Sequence, residues 1–103
     1  MANYIFAYHG GKAPESPEEG EKVMAAWKSW LAGMGDNLVD FGAPLGMSST
    51  VSATGVAGDG GTNPISGYSL VQADSQDAAN DLAKGCPVLA DGGSVEVAEI
   101  MQM

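Results

Sequence analysis

From Asn3 to His9 the chain is almost wholly apolar or aromatic. Tyr4, Phe6 and Tyr8 fall on one face of a strand, and Ile5, Ala7 and His9 on the other. A strand apolar on both faces belongs at the centre of a sheet that is covered on both sides. Gly10-Gly11 opens a loop that runs to Pro14. Ser16-Pro17-Glu18-Glu19 then has the capping-box pattern, with proline at the first helical position and acidic residues where the helix dipole favours them. Val23, Trp27, Trp30, Leu31 and Met34 mark one face of a helix that ends near Gly33 to Gly35.

The next stretch is broken. Asn37 to Phe41 reads as a short strand or extended approach, interrupted by Gly42, Pro44 and Gly46. Met47 to Thr54 is rich in serine and threonine, with Val51 and Ala53 on one face, and reads as an edge strand. Gly55 to Pro64 reads as a loop. Gly67 to Ala73 then mixes aromatic, β-branched and small residues suited to a pleated strand. Tyr68 and Leu70 point one way; Ser69, Val71 and Ala73 point the other. Asp74 or Ser75 caps a helix whose stripe is Ala78, Ala79, Leu82 and Ala83. So alanine-rich a stripe requires a close approach to the sheet. Gly85 and Pro87 end that helix. After Asp91-Gly92-Gly93, Ser94 to Met101 forms a last strand with Val95 and Val97 on one face.

The order is β-α-β-β-α-β, a single domain over residues 1–103. This is the ferredoxin-like arrangement of the α+β class: a four-stranded antiparallel sheet with two helices on one face. Each helix is about 10 Å across, and four strands span about 19 Å. Two helices therefore cover one face and no more, while the first strand is apolar on both. A second copy of the chain, packed sheet against sheet, is the expected cover. That makes a homodimer, a dimeric α+β barrel.

Charge narrows the partners. The net charge is −9, every basic residue is lysine (Lys12, Lys22, Lys28, Lys84), and charged residues make up 17% of the chain, against about 25% in an average domain. Nucleic acid and anionic membranes need a basic footprint that is missing here. The absence of arginine also weighs against polyphosphate ligands. No window approaches the length of a membrane helix, the N-terminus lacks a signal-peptide pattern, and Cys86 is alone, so no internal disulfide forms. A cytoplasmic setting is expected.

Little in the chain points to chemistry. Gly55-Val-Ala-Gly-Asp-Gly-Gly-Thr62 comes within one residue of the phosphate-loop pattern, but Asn63-Pro64 and a strand follow where a helix is required. His9, the only histidine, stands where the central strand runs into Gly10-Gly11 and is the candidate acid–base residue. Trp27 and Trp30 suit core packing or a pocket for flat ligands. Cys86 reads as a buried, inert thiol. One cysteine and one histidine cannot build a structural zinc site, and the acidic residues lack calcium-loop spacing, so neither metal nor cofactor is expected.

Nearly end to end, the chain resembles the YCII-related, or DGPF, family within the dimeric α+β barrel group. The resemblance rests on the opening strand to His9-Gly10-Gly11, Trp27-Lys-Ser-Trp30, Gly42-Ala-Pro-Leu45, Gly67-Tyr68-Ser69, Ala73-Asp74-Ser75, Cys86-Pro87 and Gly92-Gly93-Ser-Val-Glu-Val97. It implies the same ferredoxin-like dimer. Most members are uncharacterised; some relatives act in the breakdown of chlorinated aromatic compounds, and others occur beside regulatory sigma factors. One branch pairs a helix histidine with an aspartate before proline, proposed as an acid–base dyad. Trp27 and Cys86 stand at those positions here, so that mechanism does not transfer. The name-giving motif is reduced to Asp59-Gly60-Gly61-Thr62.

Three readings follow. In the first, a homodimer binds a small, neutral or cationic, partly aromatic molecule between helices and sheet, with His9, Trp27, Trp30, Asp40 and Tyr68 as contacts. In the second, the chain is an acid–base enzyme, an isomerase or elimination catalyst of dehydrochlorinase type, with His9 as base. In the third, it is a non-catalytic association or regulatory module. The first is preferred, because the dyad is absent while the aromatics persist.

Overall fold

A computed structural model describes residues 1–11 and 15–102. The end of the loop expected from Gly10 to Pro14 lies outside the described residues. The strands are β1 (Ala2–His9), β2 (Leu38–Pro44), β3 (Thr50–Ser52), β4 (Gly55–Ala57), β5 (Ile65–Ala73) and β6 (Ser94–Glu99); the α-helices are α1 (Pro17–Gly33) and α2 (Gln76–Ala83). β2, β5, β1 and β6 form one antiparallel sheet in that order, with β1 in its interior. This is a ferredoxin-like α+β fold with two helices on the sheet. The molecule is 19 Å through its thinnest direction, room for one sheet and one layer of helices.

The alternation in β1 sets the layers. Tyr4, Phe6 and Tyr8 are buried toward the helices, together with Ser69, Val71 and Ala73 of β5. The two helices reach this face differently. The alanines of α2 let its backbone come close to β5 and β6, and Ala79 and Ala83 are buried there. α1 meets the sheet chiefly through Trp27, Trp30 and Leu31. Its capping box forms nearly as expected: the Ser16 hydroxyl accepts from the Glu19 amide at 3.1 Å, and the Glu19 carboxylate reaches back to the Glu15 amide rather than to Ser16. Ser75 caps α2 in the same way, accepting from Ala78.

The broken stretch differs from its sequence reading. The edge of the sheet is β2, which runs on through Gly42 to Pro44. Within Met47 to Thr54 only Thr50–Ser52 is strand, and it pairs with Gly55–Ala57, inside the expected loop, as a separate two-stranded hairpin. Glycine here bends the strand without ending it. Gly42 takes φ +72, and a Cβ at that position would run into the Tyr68 carbonyl. Its amide is held by the Asp40 carboxylate at 2.8 Å, and the Phe41 carbonyl accepts from Ser69 Oγ at 2.7 Å. Pro44 is tolerated because an edge strand can spare an amide.

The other face of the sheet carries Ile5, Ala7, Tyr68 and Leu70 at its centre, with Ile5 opposite Leu70 and Ala7 opposite Tyr68. Asn3, Gln72, Glu96 and Ala98 surround them by register. Ile5, Ala7, Tyr68 and Leu70 are half-buried, and both helices pack on the opposite face.

Candidate functional site

Four aromatic rings fill the space beneath α1. Phe6 and Trp30 stack at 6.1 Å between centroids, Trp27 meets Tyr8 edge-on at 4.8 Å, and the two tryptophans meet edge-on at 5.7 Å. Each buried polar end has a partner. Trp30 Nε1 donates to the Leu82 carbonyl at 3.1 Å, which ties α1 to α2. The Tyr8 hydroxyl donates to Ser69 Oγ at 2.8 Å, and Ser69 donates onward to Phe41. Burial pushes the Tyr8 phenol far above its ordinary value, the Ser69 bond offsetting part of the rise.

Because the indoles hold α1 out while the chain after α2 turns back under it, an open groove of about 660 Å³ remains between them. Trp30, Val23 and Ala26 line it from α1; Gly85, Cys86, Pro87 and Ala90 line it from the end of α2 and the 3-10 turn over Pro87–Asp91. Glu19, Lys22 and Asp91 supply charge at its polar edge. Gly85 lies close against the indole: a Cβ there would stand 3.0 Å from Trp30 Cδ1, a tight contact.

Cys86 is buried in the groove wall. Burial pushes its thiol up to about 11 from 9.0, with a smaller opposing effect from a backbone hydrogen bond at Val88. It is therefore a poor nucleophile at neutral pH. Between pH 9 and 11 the unfolded chain gives up this proton while the folded chain keeps it. The contribution to stability is thus fully present below pH 9 and is lost as pH rises toward 11. Urea unfolding at pH 8 and pH 10.5 should show a loss at the higher pH, of which about 1–2 kcal/mol disappears in Cys86→Ala.

His9 lies on the opposite side of the sheet. Its Nε2 is 3.0 Å from Glu96 Oε1, and its Nδ1 is 2.9 Å from the Asn63 carbonyl and 3.3 Å from that of Pro64. Both ring nitrogens thus face acceptors, and a neutral ring has only one N–H to give. The imidazole fastens the end of β1 to β6 and to the segment entering β5.

The five residues singled out in the sequence do not converge. Trp27 and Trp30 are on the helix side, and only Trp30 lines the groove. His9 and Tyr68 share the open face, while Asp40 shapes the bend in β2. Lys22, Asp91 and Cys86-Pro87 were not among them, although Glu19, Lys22, Val23, Ala26 and Trp30 repeat at helical spacing along a stripe that overlaps the core face. Among the described residues no three of His, Cys, Asp or Glu come together as a metal-binding group, and no helix is long and apolar enough to cross a membrane.

The site is that of a small two-layer α+β protein with a groove that one indole, Trp30, helps to wall. No protein-family model matches the chain, and no curated protein matches it by sequence. Among solved structures its fold is similar to that of 5-chloro-2-hydroxyhydroquinone dehydrochlorinase (TftG) from Burkholderia phenoliruptrix AC1100, solved in complex with 2,5-dihydroxybenzoquinone. The match has a TM-score of 0.57 at 16% identity and covers 100% of this chain and 96% of that one. At that identity the likeness is one of fold.

Proposed function

We propose that the protein is a homodimer of the YCII-related type that binds a small, flat, partly aromatic molecule in the groove between α1 and the turn after α2. The observation that carries this reading is the groove itself: about 660 Å³, walled by Trp30 and Cys86-Pro87, with charge confined to Glu19, Lys22 and Asp91. Binding pockets combine apolar walls with a few placed polar groups in this way. The quinone complex of the TftG fold supports the choice of ligand class. The buried, unpaired thiol suits a reducing cytoplasm.

Calorimetric titration with hydroquinone and simple phenols, which are uncharged near neutral pH, tests it. Micromolar to millimolar binding is expected, weakened about tenfold in Trp30→Phe, which keeps a ring but loses the indole edge and its hydrogen bond. No heat from any of them would remove this reading.

The second reading, an acid–base enzyme, is favoured by one contact, the 3.0 Å approach of His9 to Glu96. It requires chloride release from 5-chloro-2-hydroxyhydroquinone that His9→Ala abolishes, with the substrate held on the His9 side of the sheet and not in the groove. Binding without turnover leaves the first reading alone.

A further inference from the structure

The β3–β4 hairpin stands apart from both layers. All six of its strand residues are exposed. Val51 and Val56 face each other across the pair at 77% and 72% exposure, and Met47 before them is 97% exposed. A two-stranded hairpin without a packed face is marginal in water, so its apolar side needs cover. Its root is well fixed. The Leu45 amide donates to the Ser66 carbonyl at 2.9 Å. On the return, the Asn63 and Pro64 carbonyls meet the His9 imidazole, which belongs to the open face of the sheet. The hairpin thus springs from the rim of that face.

Area and charge indicate what covers it. Four strands of six to nine residues give a face of about 19 by 25 Å, roughly 500 Å². A stable pair buries about 800 Å² on each partner. The face alone falls short, and an apolar arm at its rim supplies the remainder. The chain carries a net charge of −9, yet no charged residue occurs between Asp40 and Asp59. Two such acidic molecules repel one another, and this uncharged segment is where they can touch without that cost.

We propose that the Thr50–Ala57 hairpin, with Met47 just before it, is a dimerisation arm packed through Val51 and Val56 against a second copy of this chain. The proposal rests on the homodimer reading above and adds to it where the contact extends. His9 is then a positioning residue that holds the root of the arm.

Sedimentation equilibrium of the full chain, wild type beside Val51→Asp/Val56→Asp, tests it, with far-UV circular dichroism as the control for folding. The expected result is a dimer whose dissociation constant rises about 100-fold or more in the variant, with the circular dichroism spectrum unchanged. A wild-type dimer that the variant leaves intact overturns the arm and keeps the homodimer. A wild-type monomer overturns both. If the aspartate variant does not fold, Val51→Thr/Val56→Thr, which keeps strand-forming residues, takes its place with a weakening of about tenfold expected, and no weakening overturns the arm.

Discussion

Phe6→Ala is expected to take away a large share of the stability of the fold. The ring is fully buried in β1, 0% exposed, and stacks on Trp30. Truncating a buried phenylalanine costs about 3–5 kcal/mol, through lost burial and the cavity left behind, whereas domains of this size are stable by only about 5–15 kcal/mol. The site has little freedom to collapse. Trp30 is tied to Leu82 and Trp27 is braced on Tyr8, so neither indole can swing into the space without breaking another contact. Thermal unfolding followed by circular dichroism should show the midpoint fall by about 15–30 °C. A fall under about 5 °C would mean that the rings repack, and that they do not hold α1 in place.

Leu70→Asp is expected to act on association and not on folding. Leu70 sits at the centre of the open face opposite Ile5 and is half-buried there. In a two-fold pairing of sheets the change is made twice, once in each copy. It removes what remains to be buried of a side chain already half-buried in the single chain, and places two carboxylates in a dry contact. Dissociation should weaken at least about 1,000-fold, while the far-UV spectrum of the monomer stays that of the wild type. If the variant instead unfolds at every concentration, the chain has no stable folded monomer; if it pairs as before, the sheet face is not the contact.

The regular elements were legible because their periods are clean. Two-residue alternation in Tyr4-Ile5-Phe6-Ala7-Tyr8 placed β1 in the sheet interior, and the Val23–Trp27–Trp30–Leu31 stripe placed α1 on it. The broken stretch was not legible, for a local reason. Gly42 and Pro44 are the residues that commonly end strands, yet Asp40 and Ser69 hold the chain through the bend. The hairpin hid for a similar reason: its two-residue turn is Ala53-Thr54, without the Asn-Gly type of signal that marks such turns.

The site was legible only in parts. Periodicity fixes which face of its own element a side chain occupies, but not which faces meet. Alternation already put His9 opposite Tyr8. Since Trp27 packs on Tyr8, the imidazole and the indoles lie on two sides of one sheet. The groove depends on how far the tryptophans hold α1 from the turn after α2, a distance set by tertiary packing, which no stretch of sequence encodes by itself.

A second copy of the chain is expected to close the face that has Ile5, Ala7, Tyr68 and Leu70 at its middle. Sedimentation equilibrium of the wild-type protein from about 1 to 100 μM, a range that brackets a micromolar pairing constant, tests it most directly. A mass of twice the 10.4 kDa chain is expected at the upper end of that range. A single-chain mass throughout would contradict it.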